Sequence, residues 1–362
     1  MNELEALLFL THVPFLGSIK IRLLIQHFGS AAAAAKINPA TLIELPGFGP
    51  KIIRAWQSGD VEKAWEQTLK LSEQHNVQII PFTNPNYPKR LLDIIDFPLI
   101  LYVKGSLLRS DQQSLAIVGT RQASIYGMEM TYKISAELAH AGFTIVSGLA
   151  RGIDTAAHTA ACVKGRTIAV LGSGFNHIYP KENEKLSEKI IERGALISEF
   201  PMTTPPDRQH FPQRNRIVSG MTMGTILMEA PKESGAIITT ELALNQGRKV
   251  FALPGRADQE NFQGNHYLIK NRRAELIENS KDVIIYYSDL FVPLPPKLSI
   301  QNTTPLEKEE EDFIRQLPTE ELSIEDIINR TKIPISKLNV LLMSLVLKKI
   351  LKEYPGKIYK KV

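Results

Sequence analysis

The residues best able to do chemistry recur after short apolar runs. Gly119-Thr120-Arg121 follows the run at Leu115–Val118, with Ser124 a few positions on. Ser147-Gly148-Leu149-Ala150-Arg151-Gly152-Ile153-Asp154 ends the second run, and His158 stands one helical turn beyond. Gly172-Ser173-Gly174-Phe175-Asn176 follows the third and continues to Tyr179-Pro180-Lys181. Ser198-Glu199 ends the fourth and leads to Phe211-Pro212-Gln213-Arg214-Asn215-Arg216. Glu229 and Pro254-Gly255-Arg256 follow the last two. Glycine allows close approach of the backbone to a ligand, and a helix start offers unpaired N–H groups to an anion. Arginine adds planar, bidentate phosphate contacts. One such turn is weak, because strand-to-helix connections need glycine for steric reasons. Five or six in series point to a ligand bearing phosphate. Phe175, Tyr179 and Phe211 lie beside these turns and are candidates for stacking on a base or for packing at the strand ends.

Other chemistries fit less well. The nearest match to a dinucleotide fingerprint, Gly172–His177, has His177 where the third glycine belongs. Ser147 and Ser234 lack the nucleophile elbow of a hydrolase. No Walker lysine loop and no metal-ligand spacing is found, so neither a cofactor nor a metal is expected. Asp154 and His158 have the spacing of a hydrogen-bonded pair on one helix face, either catalytic or orienting a loop. ESGAIITTE at Glu233–Glu241 leaves one enzymatic alternative. It is like the turn-plus-glutamate of Rossmann-type enzymes acting on a small nucleoside phosphate, although Ile237 and Ile238 interrupt its glycines.

Elements that would position these residues follow from periodicity. Strands are expected at Leu115–Val118, Thr144–Ser147, Thr167–Leu171, Ala195–Ser198, Thr225–Met228 and Val250–Leu253. Helices fit between them, as at Tyr126–His140, Thr155–Val163 and Glu182–Arg193. Unbroken apolar strands alternating with helices predict a doubly wound parallel sheet with its crevice at the strand carboxyl ends. The chain to about Val77 is helical by pattern. It repeats a turn at Pro14–Gly17 and Pro46–Gly49, and ELPGFGPKIIRAW resembles a helix-hairpin-helix, which binds DNA phosphate or merely packs. Pro293, Pro295 and Pro296 mark a linker. Beyond it, helices at Glu309–Gln316, Ile324–Arg330 and Ser336–Lys349 and a hairpin turning at Pro355-Gly356 make a winged-helix pattern. The expected division is 1–80 helical, 81–287 α/β, 288–305 linker and 306–362 winged helix.

Composition bounds the class. Hydrophobic content of 43% and charged content of 22% are those of a globular chain. A single cysteine, Cys162, rules out an intramolecular disulfide and suits a cytoplasmic protein. No apolar run approaches membrane-spanning length, so no membrane partner is expected. Forty-three Lys and Arg against 38 Asp and Glu leave a net charge of +5, too small to identify a polyanion partner without knowing where the charges lie.

Taken together, IVGTRQASIYG, SGLARGIDTAAH, LGSGFNHIYPKEN, ISEFP, FPQRNRIVSG, MEAPKESGAIITTELA and FALPG closely resemble the DprA/Smf family of bacterial DNA-processing proteins. The resemblance is dense from about Pro85 to Val283. One departure is GNHYLIKNRRAELI, where Lys270, Arg272 and Arg273 replace a neutral turn. The resemblance implies an extended Rossmann-like α/β domain between an N-terminal helical domain (SAM or helix-hairpin-helix-like) and a C-terminal winged helix. It further implies a non-enzymatic homodimer that binds single-stranded DNA without sequence preference. Such a protein loads RecA recombinase onto the strand during natural transformation or recombination. Carried over by motif, the DNA-binding residues would be Gly119, Arg121, Ser147, Gly148, Arg151, Gly152, Gly172, Gly174, Asn176, Lys181, Arg214, Asn215 and Arg216. Asp154, His158 and Glu229 would support them.

Overall fold

The structure, a computed structural model, describes residues 1–288, 308–318, 322–348, 350–354 and 358–361. They fall into two compact units, Met1–Leu290 and Phe291–Val362.

The first unit opens with helices α1 (Glu3–His12), α2 (Ser18–Phe28), α3 (Ala31–Ala35), α4 (Pro50–Gln57) and α5 (Asp60–Gln74). Gly17 and Gly49 are the N-caps of α2 and α4, and neither helix start has a side-chain cap. Strands β1 (Gln78–Pro81) and β2 (Ile100–Gly105) follow, then β3 (Ser114–Val118), α6 (Ile125–His140), β4 (Thr144–Ser147), α7 (Ile153–Lys164) and β5 (Arg166–Val170). The chain continues through α8 (Glu184–Arg193), β6 (Ala195–Ser198), α9 (His210–Gly220), β7 (Gly224–Leu227) and α10 (Gly235–Asn245). It ends with β8 (Lys249–Ala252), α11 (Gln263–Lys270), β9 (Glu275–Leu276) and α12 (Ser280–Tyr286).

The nine strands form one sheet in the order β1-β2-β6-β5-β4-β3-β7-β8-β9. From β6 to β9 every pairing is parallel, whereas β1 and β2 add an antiparallel edge. β3, β4 and β6 are buried at every residue, because helices cover both faces. The sequence therefore reads as uninterrupted apolar runs there, and the six expected strands agree with the observed ones to within a residue at each end. β1, β2 and β9 were not expected. β1 ends in Pro81, and β9 has only two residues, both exposed. β1 also carries the sheet back to Gln78, ahead of the boundary expected at 81. A single apolar cluster joins Leu7, Leu10, Leu24 and Trp56 of the helices to Leu101, Val103 and Ile197 of the sheet. The N-terminal helices thus share the sheet's core.

Because the chain leaves β3 toward β4 on one side and later returns through β7 on the other, the strand order reverses between β3 and β7. That is where a doubly wound sheet opens a crevice at its carboxyl ends.

The second unit contains α13 (Lys308–Gln316), β10 (Leu322–Ser323), α14 (Ile324–Thr331), α15 (Ile335–Leu347), β11 (Leu351–Tyr354) and β12 (Ile358–Lys361) around Phe313, Ile327, Leu338, Leu342 and Leu345. β10, not expected from the sequence, pairs with β12 to make a three-stranded wing. The linker prolines and the Pro355-Gly356 turn lie outside the described residues. Among those described, no helix is long and apolar enough to cross a membrane.

At the amino-terminal ends of the strands, Arg166 donates to both carboxylate oxygens of the buried Asp111, at 2.5 and 2.8 Å. Thr144 and the Leu108 amide donate to the same carboxylate. Removing one partner of a buried pair strands the other charge. Asp111→Ala is expected to lower unfolding free energy by about 3–5 kcal/mol in urea titrations.

Candidate nucleic-acid interface

The connection from β4 to α7 is the centre of the site. Leu149 within it has φ 59° and Gly152 has φ 72°. The left-handed position of Leu149, a buried non-glycine residue, costs about 1–2 kcal/mol, and three side chains hold it there. Asp154 accepts from the amides of Gly148 and Ala150 at 3.1 and 3.2 Å. Asn183 Nδ2 donates to Leu149 O at 2.9 Å. Arg214 Nη1 donates to Gly148 O at 2.6 Å and to Val170 O at the end of β5. Burial lowers the Arg214 pKa to about 10, with the Asp154 carboxylate opposing the shift. The guanidinium therefore stays charged at neutral pH, beneath the loop. Asp154 itself is pushed up by burial, against the pull of Arg214.

Above this base lies a shallow pocket lined by Arg121, Gly148, Ala150, Arg151, Tyr179, Pro180, Phe211 and Arg214. The Arg121 guanidinium sits 5.4 Å from the centre of the half-buried Phe211 ring. Phe211 in turn packs 5.6 Å from Tyr179, which is 42% exposed. Exposed Arg151 pairs with exposed Glu182 at 2.6 Å, a contact worth little in water. Lys181 is exposed on the turn after Pro180.

On the other side, Glu229 at the end of β7 latches the β3–α6 connection. Its buried carboxylate accepts from the amide and hydroxyl of Ser124 and from Asn261. Its backbone carbonyl accepts from Thr120 N.

The pocket therefore gathers Arg121, Gly148, Arg151 and Arg214 from the expected set, and several other expected residues are placed elsewhere. Ser147 is fully buried and donates to Ile117 O at 2.6 Å, so its hydroxyl is spent on the sheet. Arg216, expected in the same pocket, turns away from Arg121. It is 7% exposed and paired with Asp96 and Glu199 on a different cleft. Two residues along a helix change direction by about 200°, at 3.6 residues per turn, so Arg214 and Arg216 cannot share one pocket. Asn215 reaches Gly235 O at 3.5 Å, toward α10. Asn176 is exposed, and its amide bonds Met202 O.

Packing accounts for the glycines expected to meet a ligand. A side chain at Gly119 would strike Ile153, at Gly152 the carbonyls of Thr120 and Arg121, and at Gly174 those of Pro201 and Met202. At Gly148 it would strike Arg214, and at Gly172 the Phe211 ring. Phe175 packs partly buried against the core. Asp154 and His158 find separate partners. Thr167 Oγ1 donates to Ile145 O, so His158 Nδ1, 2.7 Å away, donates to Thr167. Glu241, the glutamate of the enzymatic alternative, pairs with Arg273 at 2.5 Å. Asn183 and Asn261 were not anticipated. Asn183 closes the quoted IYPKEN segment just before a helix, and that position was the signal available.

Fold and site together define a doubly wound α/β protein with a pocket of arginines and an aromatic pair at the carboxyl ends of β3, β4 and β5. Residues 78–288 match the family model described as DNA recombination-mediator protein A, and the chain belongs to that family, DprA/Smf. It is 38% identical over 289 residues to protein Smf of Synechocystis, covering 78% of this chain and 71% of that one. With Escherichia coli protein Smf it shares 43% over 224 residues, 61% of this chain and 60% of the relative. The X-ray structure of DprA from Streptococcus pneumoniae matches with TM-score 0.64 and 31% identity, covering 79% of this chain and 98% of that one. A Helicobacter pylori DprA structure, described for its single-stranded DNA binding mode, matches with TM-score 0.54 and 30% identity, over 59% and 98% of the two chains.

Burial, reinforced by the nearby Arg214 charge, drives His158 down to about 3. Between that value and an unfolded value near 6.5, the unfolded chain binds more protons than the folded one. His158 thus makes stability rise with pH across that window. His158→Gln is expected to flatten the fall in unfolding free energy, from urea titrations, on acidification from pH 6.5 to 4, by up to about 1.4 kcal/mol per pH unit.

Proposed function

We propose that this protein binds single-stranded DNA at the carboxyl-end rim and presents it to RecA recombinase, as a mediator rather than an enzyme. The observation that carries the reading is the Arg121–Phe211–Tyr179 stack at the mouth of a pocket underlain by Arg214. Single strands are held by positive grooves that follow phosphates and by aromatic rings that accept any base face. Arg121, Arg151 and Lys181 supply cations for phosphates, and Tyr179 offers the exposed ring. Contacts of this kind read backbone and base faces, so the pocket itself accepts any sequence. The binding mode named for the Helicobacter pylori relative supports the same ligand class, and the recombination-mediator family supports a recombinase partner. A homodimer is part of this reading, with exposed Ile238 on α10 as a candidate contact.

Mobility-shift titrations of single- and double-stranded oligonucleotides at two salt concentrations test it. Preference for the single strand is expected, weakening steeply with salt. Each phosphate contact contributes about 0.7 to the log–log slope on single strands. Arg121→Ala with Lys181→Ala should flatten that slope by roughly 1.4 if each side chain neutralises one phosphate. The same double variant should slow RecA filament formation relative to the parent. Binding by the variant equal to that of the parent would rule out the pocket as the strand site.

A further inference from the structure

Arg121 is exposed, and the partner its side chain has is the Phe211 ring, 5.4 Å from the guanidinium. No acid among the described residues pairs with it. Its charge lies close enough to Arg214 to push the pKa of that group down. Like charges repel, so the two guanidiniums do not hold each other in the pocket. The backbone of the β3–α6 connection has to keep Arg121 there.

That connection is anchored at three points. At its head, the Thr120 amide donates to Glu229 O at 2.7 Å and the Thr120 carbonyl accepts from Ile153 N at 3.3 Å. At its foot, Ser124 donates to the Glu229 carboxylate. In the middle, the carbonyl of exposed Gln122 accepts from Nδ2 of Asn261 at 3.3 Å. The same Nδ2 donates to Glu229 Oε1 at 2.8 Å. Both neighbours are acceptors, so the position needs a group with two N–H donors, which a side-chain amide supplies. Asn261 lies between β8 and α11, on the far side of the switch point from β4 and β5. Tyr126 closes the same seam, its hydroxyl donating to Pro254 O at 3.3 Å and its ring 5.8 Å from Phe262.

We infer that Asn261 is a positioning residue for strand binding, acting through Arg121 rather than on the strand. The inference rests on the single-strand reading above. Asn261 fixes the Gln122 carbonyl and with it the neighbouring Arg121, which is thereby kept against Phe211 in spite of Arg214. Without the amide, that carbonyl turns to water and the connection loses its middle anchor. Arg121 then swings away from Arg214, and its phosphate contact is lost although no charge has been removed.

Fluorescence anisotropy with oligo-dT over a salt series tests this on the parent, Arg121→Ala, Asn261→Leu and the double variant. Arg121→Ala should weaken binding about tenfold, the effect of one charge-assisted contact, and flatten the log–log salt slope by about 0.7. Asn261→Leu, a neutral-for-neutral change, should weaken binding and flatten the slope alike, and add nothing in the double variant. A residue that only stabilises the fold leaves the slope unchanged. Thermal melts establish folding, and Asn261→Ala takes the place of the leucine variant if that one does not fold. A folded Asn261 variant with the parent's slope overturns the inference, as do additive effects in the double variant or loss of folding in both Asn261 variants. Equal binding by Arg121→Ala and the parent instead overturns the reading of the pocket as the strand site, and this inference with it.

Discussion

The buried guanidinium of Arg214 is the contact on which the rim depends. It joins the carbonyl of Gly148 at the start of one loop to that of Val170 at the end of the next strand. Asp154, which opposes its loss of charge, holds two amides of the same loop. Removing a charge from water is costly unless partners replace the solvent, and here they do so by fixing the backbone. The left-handed Leu149, the packed Gly148 and the start of α7 all follow from that one placement. The pocket floor is thereby a buried guanidinium held by backbone carbonyls, with the Asp154 carboxylate beside it.

The same economy governs the rest of the rim. Glu229 accepts from Ser124 and Asn261 and keeps the β3–α6 connection against β7, which holds the backbone that presents Arg121. The glycines of these turns are needed mainly because protein atoms occupy the space a Cβ would take. Their close packing makes the strand ends rigid, and rigidity is what lets a few exposed side chains, Arg121, Tyr179 and Lys181, form a defined surface.

Charge is divided between two duties. Arg214, Arg216 and Arg166 are buried or nearly so and satisfy carbonyls and carboxylates of the fold. Arg121, Arg151 and Lys181 stand in solvent. A net charge of +5 is therefore a poor measure of how the surface meets an anion, because part of the positive charge is internal to the architecture. The N-terminal helices add to this picture by sharing the sheet's core and forming one wall of the cleft beside Arg216.

The sequence by itself determined the family, the parallel sheet and the rim. Fully buried strands read as continuous apolar runs, and glycine or arginine turns follow β3, β4, β5 and β8. It did not reveal β1, β9 or β10, which are short edge strands held by their neighbours more than by their own pattern. Nor could it separate Arg214 from Arg216, identical in type and two positions apart. Only the tertiary structure decided that one underlies the pocket while the other pairs with Asp96 and Glu199. The direction of a side chain depends on how its helix is rotated against the sheet, and long-range packing sets that rotation. The same holds for Phe211, which the sequence left between core and surface. The structure places it half-buried, with Gly172 beneath its ring and the Arg121 guanidinium against it.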